Sequence, residues 1–211
     1  MKLTCTRVVA AAMTAVFLLT AGSCAAEVKV GDKGPDFSAL ANVDGKEHSL
    51  GDFKDAKAVV VVFTCNHCPV AKAYEDRLIA IQKDYKDKDV QIVAINPNSP
   101  KKQPQDSFEK MKERAAGKDV GDWRDNKDPF NFPYLFDATQ EVAKAYGATC
   151  TPHVFILDKD RKIAYTGAID DNMDASKVKE SFVRDALDAI LAGEKPPKPA
   201  TKQFGCSIKW E

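Results

Sequence analysis

Apolar runs and amphipathic segments follow one another along most of the chain. The residues from Ala58 to Phe63 are all apolar and mostly β-branched, which is typical of a central strand covered on both faces. Large side chains then recur at helical spacing from Val70 to Tyr85, and residues 90–95 form a second, largely apolar run. We expect this strand–helix–strand unit to place its two strands in parallel within an α/β fold.

Weaker patterns on both sides complete the predicted fold. Asp44-Gly45 lies between short apolar segments and indicates an N-terminal β-hairpin. Further along we predict a helix over 108–116, a strand over 133–136, a helix over 140–146, a hairpin over 154–166 and a final helix over 176–192. Together these elements predict a central mixed β-sheet flanked by helices.

The N-terminal residues do not fit this core. Lys2 and Arg7 form a short positively charged region at the N-terminus. An apolar stretch then runs from Val8 to Leu19, and small residues follow up to Ala26. This order is typical of a secretory signal peptide, which we predict over residues 1–25. It implies export to the periplasm or cell envelope.

Cys24 offers a second interpretation of the same segment. A lipoprotein signal places its lipidated cysteine at the cleavage site, but it usually carries a larger aliphatic residue where this chain has Ala21. We therefore favour plain export, with attachment to a membrane only if Cys24 is lipidated.

Composition restricts the size and the partners of the remaining chain. The 211 residues, 44% of them hydrophobic, suffice for one domain with a sizeable core. Removing Lys2 and Arg7 with the signal peptide leaves 29 of the 31 basic residues against 31 acidic ones, a net charge of −2. Because this balance provides no basic surface, we expect no nucleic-acid partner.

The strongest candidates for chemistry are the cysteines of the segment Cys65-Asn66-His67-Cys68-Pro69. The segment follows the first buried strand and begins the predicted helix, where unpaired amides and the helix dipole stabilise a thiolate. Two cysteines at this spacing can close a small disulfide ring and open it again with little movement. Since so small a ring stabilises a fold only weakly, we interpret the pair as a redox centre.

Several motifs together resemble the thioredoxin fold, and in particular redoxins related to TlpA and AhpC/TSA proteins. The similarity extends from about Gly31 to Ala192 and is strongest with a peroxiredoxin-like group that carries a thioredoxin-type CxxC. The motifs are Pro35-Asp36-Phe37, the CxxC segment, Val142-Ala143-Lys144-Ala145-Tyr146-Gly147-Ala148, Cys150-Thr151-Pro152 and Gly205-Cys206-Ser207-Ile208-Lys209-Trp210.

The resemblance implies a thiol–disulfide oxidoreductase. Cys65 would attack a disulfide in a partner protein, and Cys68 would resolve the mixed disulfide from a helix that starts at Pro69. Pro152 would be a cis-proline facing the pair, with the Thr151 backbone available to a substrate strand. The sequence contains no nicotinamide or flavin motif, so we expect no cofactor and an upstream redox protein that exchanges electrons with the pair.

The resemblance also divides the chain. We predict a redoxin domain over 26–194, followed by a proline-rich linker and a cysteine-containing tail over 195–211. Residues 117–131, which include Trp123, are charged and rich in Gly, Asp and Asn. We expect them to form a surface insertion that contacts partners.

Cys150 and Cys206 leave two interpretations open. Cys150 lies two residues before Pro152, so the fold would bring it near the CxxC as a third redox thiol. Alternatively, Cys150 pairs with Cys206, which would close a loop of about 56 residues and contribute roughly 4 kcal/mol in the loop-entropy model. In an exported protein we favour this structural disulfide.

Two histidines raise a further alternative. His67 lies between the cysteines and could place a second positive charge near the Cys65 thiolate. His153 stands where the resembling group is expected to carry an acidic residue. With Cys65 and Cys68, the two imidazoles form a donor set that suits copper(I) or zinc in a metallochaperone-like protein.

A thiol peroxidase with an antioxidant role is the remaining alternative. Peroxiredoxins typically carry a threonine three residues before the peroxidatic cysteine, and Val62 occupies that position relative to Cys65. We therefore expect peroxide reduction to be a weak or secondary activity.

Overall fold

The computed structural model describes residues 28–118 and 128–211. The signal peptide predicted over 1–25, Cys24 and most of the predicted insertion, including Trp123, lie outside these ranges. Within them, no helix is both long enough and apolar enough to span a membrane.

A central mixed β-sheet flanked by helices is present, as predicted. The strands of the described residues are β1 (Leu40–Asn42), β2 (Glu47–His48), β3 (Ala58–Phe63), β4 (Val90–Asn96), β5 (Tyr134–Phe136), β6 (Cys150–Thr151), β7 (His153–Leu157), β8 (Ile163–Gly167) and β9 (Cys206–Ser207). Seven of them form one sheet in the order β2-β1-β5-β4-β3-β7-β8, and β6 pairs with β9 in a separate ribbon. β3 runs parallel to β4 and antiparallel to β7, so the predicted strand–helix–strand unit lies inside the sheet.

Helices and loops cover both faces of this sheet. The helices are α1 (Pro69–Tyr85), α2 (Phe108–Ala115), α3 (Glu141–Ala145) and α4 (Phe182–Leu191). Val60 and Val62 of β3 pack in one core cluster with residues of α1, α2 and α4. Val59 and Val61 pack in a second cluster with residues of α3. Successive side chains of a strand point to opposite faces, so a strand covered on both sides has to be apolar throughout.

The predicted N-terminal hairpin is formed by β1 and β2. Its turn contains Gly45, whose φ of +87° is readily adopted by glycine but rarely by other residues. The amide of Lys46 donates a hydrogen bond to the Asp44 carboxylate at 2.9 Å. Asp44-Gly45 therefore forms the turn that its sequence indicated.

The last helix is shorter than predicted, because α4 begins at Phe182 instead of near residue 176. A separate 3-10 turn precedes it over Ala175–Lys177, capped by the Asp174 carboxylate and followed by extended backbone at Val178. The amides of Lys179 and Glu180 then donate to Asp171 at 2.9 and 3.2 Å, so they are not available to a longer helix. A side-chain acceptor of this kind competes with helix formation, which the apolar periodicity alone does not reveal.

The C-terminal residues, predicted as a linker and tail, lie against the sheet and helices. The amide of Thr166 donates to the carbonyl of Pro199 at 3.1 Å. The ring of Phe204 packs edge to face on Tyr74, with centroids 5.9 Å apart. Ile208 is buried in the second core cluster. These contacts hold the C-terminal residues against the domain, so that β9 lies beside β6.

Candidate active site

The CxxC turn lies where β3 ends and α1 begins. Cys68 is the N-terminal capping residue of α1, and Pro69 opens its first turn, as predicted. Cys65 and Cys68 are only 1% and 0% exposed. Both candidate thiols are therefore closed off from solvent, which the sequence did not indicate.

Thr151 and Pro152 face these two cysteines. The predicted cis peptide bond between Thr151 and Pro152 is present. The Thr151 hydroxyl lies 3.0 Å from Cys65 Sγ, and Cys68 Sγ lies 3.2 Å from the Thr151 carbonyl oxygen. β7 begins directly after Pro152, and its pairing with β3 brings the two segments together.

Asp106, which the sequence analysis missed, holds the CxxC turn in place. Its buried carboxylate accepts hydrogen bonds from the amides of Asn66 and His67 at 2.7 and 3.2 Å. The side-chain amide of Asn98 donates to the same carboxylate at 2.8 Å. Asp106 follows β4, and the carboxyl ends of the parallel strands β3 and β4 share one edge of the sheet. In the sequence, the predicted parallel pairing of these two strands is the signal that the loop after β4 lies near the CxxC turn.

The His67 ring lies between the Asp106 carboxylate and the Cys65 sulfur. Its Nδ1 is 2.6 Å from an Asp106 oxygen and 3.4 Å from Cys65 Sγ. When protonated, an imidazole in this position forms an ion pair with the carboxylate. The structure thus places His67 beside Cys65, as expected, with a buried anion as its second neighbour.

The two cysteines of the pair differ in charge. Burial, a hydrogen bond with Cys68 and the negative charge of Asp106 raise the pKa of Cys65 well above its ordinary value. The pKa of Cys68 is lowered to about 5, chiefly by a hydrogen bond from Cys65 and further by Cys206 and the amide of Ala71. At neutral pH the structure therefore favours a Cys68 thiolate beside a Cys65 thiol.

Cys206 contacts Cys68, whereas Cys150 does not reach Cys206. The sulfurs of Cys68 and Cys206 are 2.6 Å apart, and Cys150 Sγ lies 3.4 Å from the Pro152 carbonyl oxygen. Because Thr151 pairs opposite Cys206, Cys150 and Cys206 extend from opposite faces of the β6–β9 ribbon. The four described cysteines are free, so the Cys150–Cys206 disulfide is not formed here and stays a prediction.

His153 lies apart from the CxxC. The amide of Thr149 donates to its Nδ1 at 3.4 Å, and its Nε2 lies 3.2 Å from the Thr166 hydroxyl. Burial lowers the pKa of His153 to about 4, so the ring is neutral at physiological pH. Both ring nitrogens have partners within the sheet region, which leaves neither directed at the cysteines.

The donor set predicted for a metal is only partly assembled. Among the described residues, the one group whose ligand atoms all lie within 4.8 Å of one another comprises Cys65, His67 and Asp106. Cys68 and His153 do not belong to it, and a carboxylate that the sequence analysis did not consider completes it. The metal alternative therefore rests on a different set of residues from the predicted one.

The fold and the facing CxxC and cis-proline segments define a thioredoxin-like protein with a buried dithiol. The model of the Redoxin family matches residues 29–182, so the chain belongs to the Redoxin family. Thiol-disulfide oxidoreductase ResA from Geobacillus thermodenitrificans is 31% identical over 139 residues, which cover 64% of this chain and 67% of that protein. ResA from Geobacillus kaustophilus has the same identity and coverage. These relatives support the expected enzyme class, a thioredoxin-like thiol–disulfide oxidoreductase.

Two solved structures are similar over most of the chain. An uncharacterized conserved protein from Geobacillus kaustophilus has a TM-score of 0.77 and 42% identity, with 87% of this chain and 93% of that chain covered. A hypothetical protein from Sinorhizobium meliloti has a TM-score of 0.76 and 33% identity, with 88% and 97% covered. Both alignments extend beyond the matched family region, so the similarity includes parts of the chain outside it.

The charge difference between the two thiols can be tested by titration. In reduced protein we expect thiolate ultraviolet absorbance to appear as the pH rises through about 5, because the pKa of Cys68 is lowered to that value. Cys68→Ser should lose this transition, and Cys150→Ala, as the control, should retain it. A transition that survives in Cys68→Ser would assign the thiolate to another cysteine.

The neutral state of His153 predicts a pH-dependent loss of stability. The unfolded chain binds a proton near the ordinary pKa of histidine, 6.5, whereas the folded protein resists it down to about 4. The free energy of unfolding should therefore fall as the pH drops through this window, by about 3 kcal/mol at most. Denaturant unfolding should show that the free energy of unfolding of wild type exceeds that of His153→Asn by a smaller amount as the pH is lowered. The cost of Phe155→Leu, a control in the same strand, should stay constant.

Proposed function

We propose that this protein is an exported thiol–disulfide oxidoreductase whose redox centre is the pair Cys65 and Cys68. The observation that supports the pair most directly is the contact of both buried sulfurs with Thr151, beside the cis-proline Pro152: Cys65 Sγ lies 3.0 Å from its hydroxyl and Cys68 Sγ lies 3.2 Å from its carbonyl oxygen. One sulfur is held as a thiolate, which is the reactive form in thiol–disulfide exchange. The two curated relatives are thiol-disulfide oxidoreductases, which supports the same assignment.

The exchange requires the proton to move between the two sulfurs. Transfer of the Cys65 proton to Cys68 generates the Cys65 thiolate that the family resemblance implies as the attacking group. The thiolate attacks one sulfur of a substrate disulfide, and the other substrate sulfur leaves as a thiolate and takes up the proton of Cys68. Cys68, now a thiolate, then attacks the Cys65 sulfur, so that the pair becomes a disulfide. The second substrate sulfur leaves as a thiolate and takes a proton from water, which completes the substrate dithiol.

His67 and Asp106 position the reacting pair. The carboxylate binds the amides of Asn66 and His67 and so holds the turn on which both cysteines lie. Its negative charge also raises the pKa of Cys65, which keeps the proton on that sulfur in the resting dithiol. Asp106 therefore acts on the chemistry through the turn and through charge, without touching the substrate.

The partners follow from the compartment and the chemistry. We propose that the mature chain acts in the periplasm or cell envelope on proteins that carry disulfides or dithiols, in exchange with an upstream redox protein. The signal-peptide pattern of residues 1–25 supports export. Detection of the mature chain in a periplasmic fraction, lost on deletion of residues 1–25, would test this part.

Equilibration of the mature protein across glutathione redox buffers, followed by differential alkylation and mass spectrometry, tests the redox centre. We expect Cys65 and Cys68 to pass reversibly between a dithiol and a disulfide with one midpoint, and Cys65→Ala to remove that bond. Cys150→Ala is the matched control and should leave the midpoint unchanged. A pair that never oxidises would contradict the proposal.

The same samples distinguish the two alternatives. Alkylation that requires prior addition of a chelator would favour a metal site at Cys65, His67 and Asp106. Rapid consumption of hydrogen peroxide by the reduced protein, with a sulfenic acid on one cysteine, would favour a peroxidase. The proposed function expects neither result.

Asp106→Asn should lower the pKa of Cys65, because it removes the negative charge while an amide oxygen can still accept the turn amides. We expect the pKa of Cys65 to decrease towards its ordinary value without reaching it, because burial still raises it. The pH dependence of Cys65 alkylation in reduced protein measures it. Asp137→Asn, which changes a buried carboxylate that binds the amide of Ala143, is the control and should leave the profile unchanged. An unaltered profile in Asp106→Asn would show that the carboxylate acts only on structure.

A further inference from the structure

The C-terminal strand occupies the position that the sequence assigned to a substrate. β9 pairs antiparallel with β6, and the register places Cys206 opposite Thr151. The Thr151 backbone, expected to bind a strand of a partner protein, instead binds the chain's own tail. Cys206 of this tail therefore lies beside the CxxC pair, in contact with Cys68.

Accessibility differs along the three neighbouring sulfurs. Cys65 and Cys68 are 1% and 0% exposed, whereas Cys206 is partly exposed. The Cys206 sulfur is 2.6 Å from that of Cys68. The sulfurs of Cys68 and Cys65 both contact Thr151, at its carbonyl oxygen and its hydroxyl. The three thiols thus lead from the buried pair towards the surface, and Cys206 is the one that solvent reaches.

The residues beside Cys206 hold the tail in this position. A Cβ on Gly205 would lie 2.1 Å from the Thr151 carbonyl oxygen, so a larger residue could not approach β6 this closely. On the other side, Ile208 is buried, and the amide of Lys209 donates to the side chain of Asn98 at 2.8 Å. Residues on both sides of Cys206 in the chain therefore hold its sulfur in contact with that of Cys68.

We propose that Cys206 is a third redox thiol, which forms a disulfide with Cys68 and relays exchange between the buried pair and partner proteins. The proposal rests on the proposed function, because it requires the Cys65–Cys68 disulfide as one of its two oxidised states. The relay needs no movement of the tail, since the two sulfurs are already in contact. A disulfide between them requires an approach of only about 0.5 Å more.

The relay is a thiol–disulfide exchange that conserves electrons. The Cys206 thiolate attacks Cys68 in the Cys65–Cys68 disulfide, the Cys68–Cys206 bond forms, and Cys65 leaves and takes up the proton that Cys206 lost. A thiolate of a partner dithiol then attacks Cys206, and Cys68 leaves as a thiolate. The second partner thiol attacks the mixed disulfide and releases Cys206. The partner ends as a disulfide, and this protein gains two electrons and one proton, with Cys65 and Cys206 as thiols and Cys68 as a thiolate.

Exposure decides which sulfur of the Cys68–Cys206 bond a partner attacks. Cys68 is 0% exposed, whereas Cys206 is partly exposed. Attack on the sulfur that solvent reaches makes Cys68 the leaving group and retains Cys206 in the mixed disulfide.

The first test is the disulfide that forms when Cys65 is absent. In the mature Cys65→Ala variant, equilibrated in oxidised glutathione and quenched with acid, peptide mapping should find a Cys68–Cys206 disulfide. It should behave as a reversible couple, and Cys206→Ser in the same background should abolish it. A bond from Cys68 to Cys150, or no bond at Cys68, would overturn the relay.

The second test is kinetic and uses reduced bacterial thioredoxin as the dithiol partner. Cys206→Ser should slow reduction of the Cys65–Cys68 disulfide by about tenfold or more, because the accessible thiol is lost. Gly205→Val, which displaces the tail while keeping all thiols, should also suppress the relay, and the control Cys150→Ala should react within about twofold of wild type. Equal or faster reduction of Cys206→Ser would show that the tail merely covers the pair.

The redox centre and the relay through Cys206 can be disproved separately. If wild type lacks a reversible Cys65–Cys68 couple, the proposed function itself is wrong. If that couple is present but Cys65→Ala forms no Cys68–Cys206 disulfide and Cys206→Ser reacts like wild type, only the relay is wrong.

Discussion

One buried carboxylate organises the site. Asp106 is 0% exposed, and a buried anion is costly unless donors surround it. The amides of Asn66 and His67, the His67 ring and the Asn98 side chain provide these donors. Loss of one donor leaves the charge less compensated, so the CxxC turn, the loop after β4 and His67 are stable only as a unit.

The sequence predicted those parts of the fold that local periodicity controls. β3, β4 and α1 were found because their apolar residues recur with the period of a buried strand or an amphipathic helix. The start of α4 was misplaced because a separate 3-10 turn over Ala175–Lys177 precedes it and Asp171 binds amides of the segment between them. Asp106 was missed because it is 39 positions from His67, and nothing near it in the chain marks its role.

The position of Cys206 depends on contacts that are distant in the sequence. The predicted signal peptide and the number of cysteines favoured a Cys150–Cys206 disulfide, which stays a prediction, and the motif around Cys206 indicated only that the tail matters. The register of β6 and β9 places Cys206 opposite Thr151. A shift of one residue would turn its side chain to the other face. Such a register depends on tertiary contacts of the tail, which a linear pattern does not contain.

Because Cys65 and Cys68 are buried, the rate of thiol–disulfide exchange at the pair does not follow from its reduction potential. A dithiol open to solvent equilibrates with any small thiol in its compartment. Here both sulfurs are almost wholly covered, and the covering strand belongs to the same chain. Such coverage slows exchange with the small thiols of the surrounding pool, but it does not change the equilibrium that the exchange finally reaches.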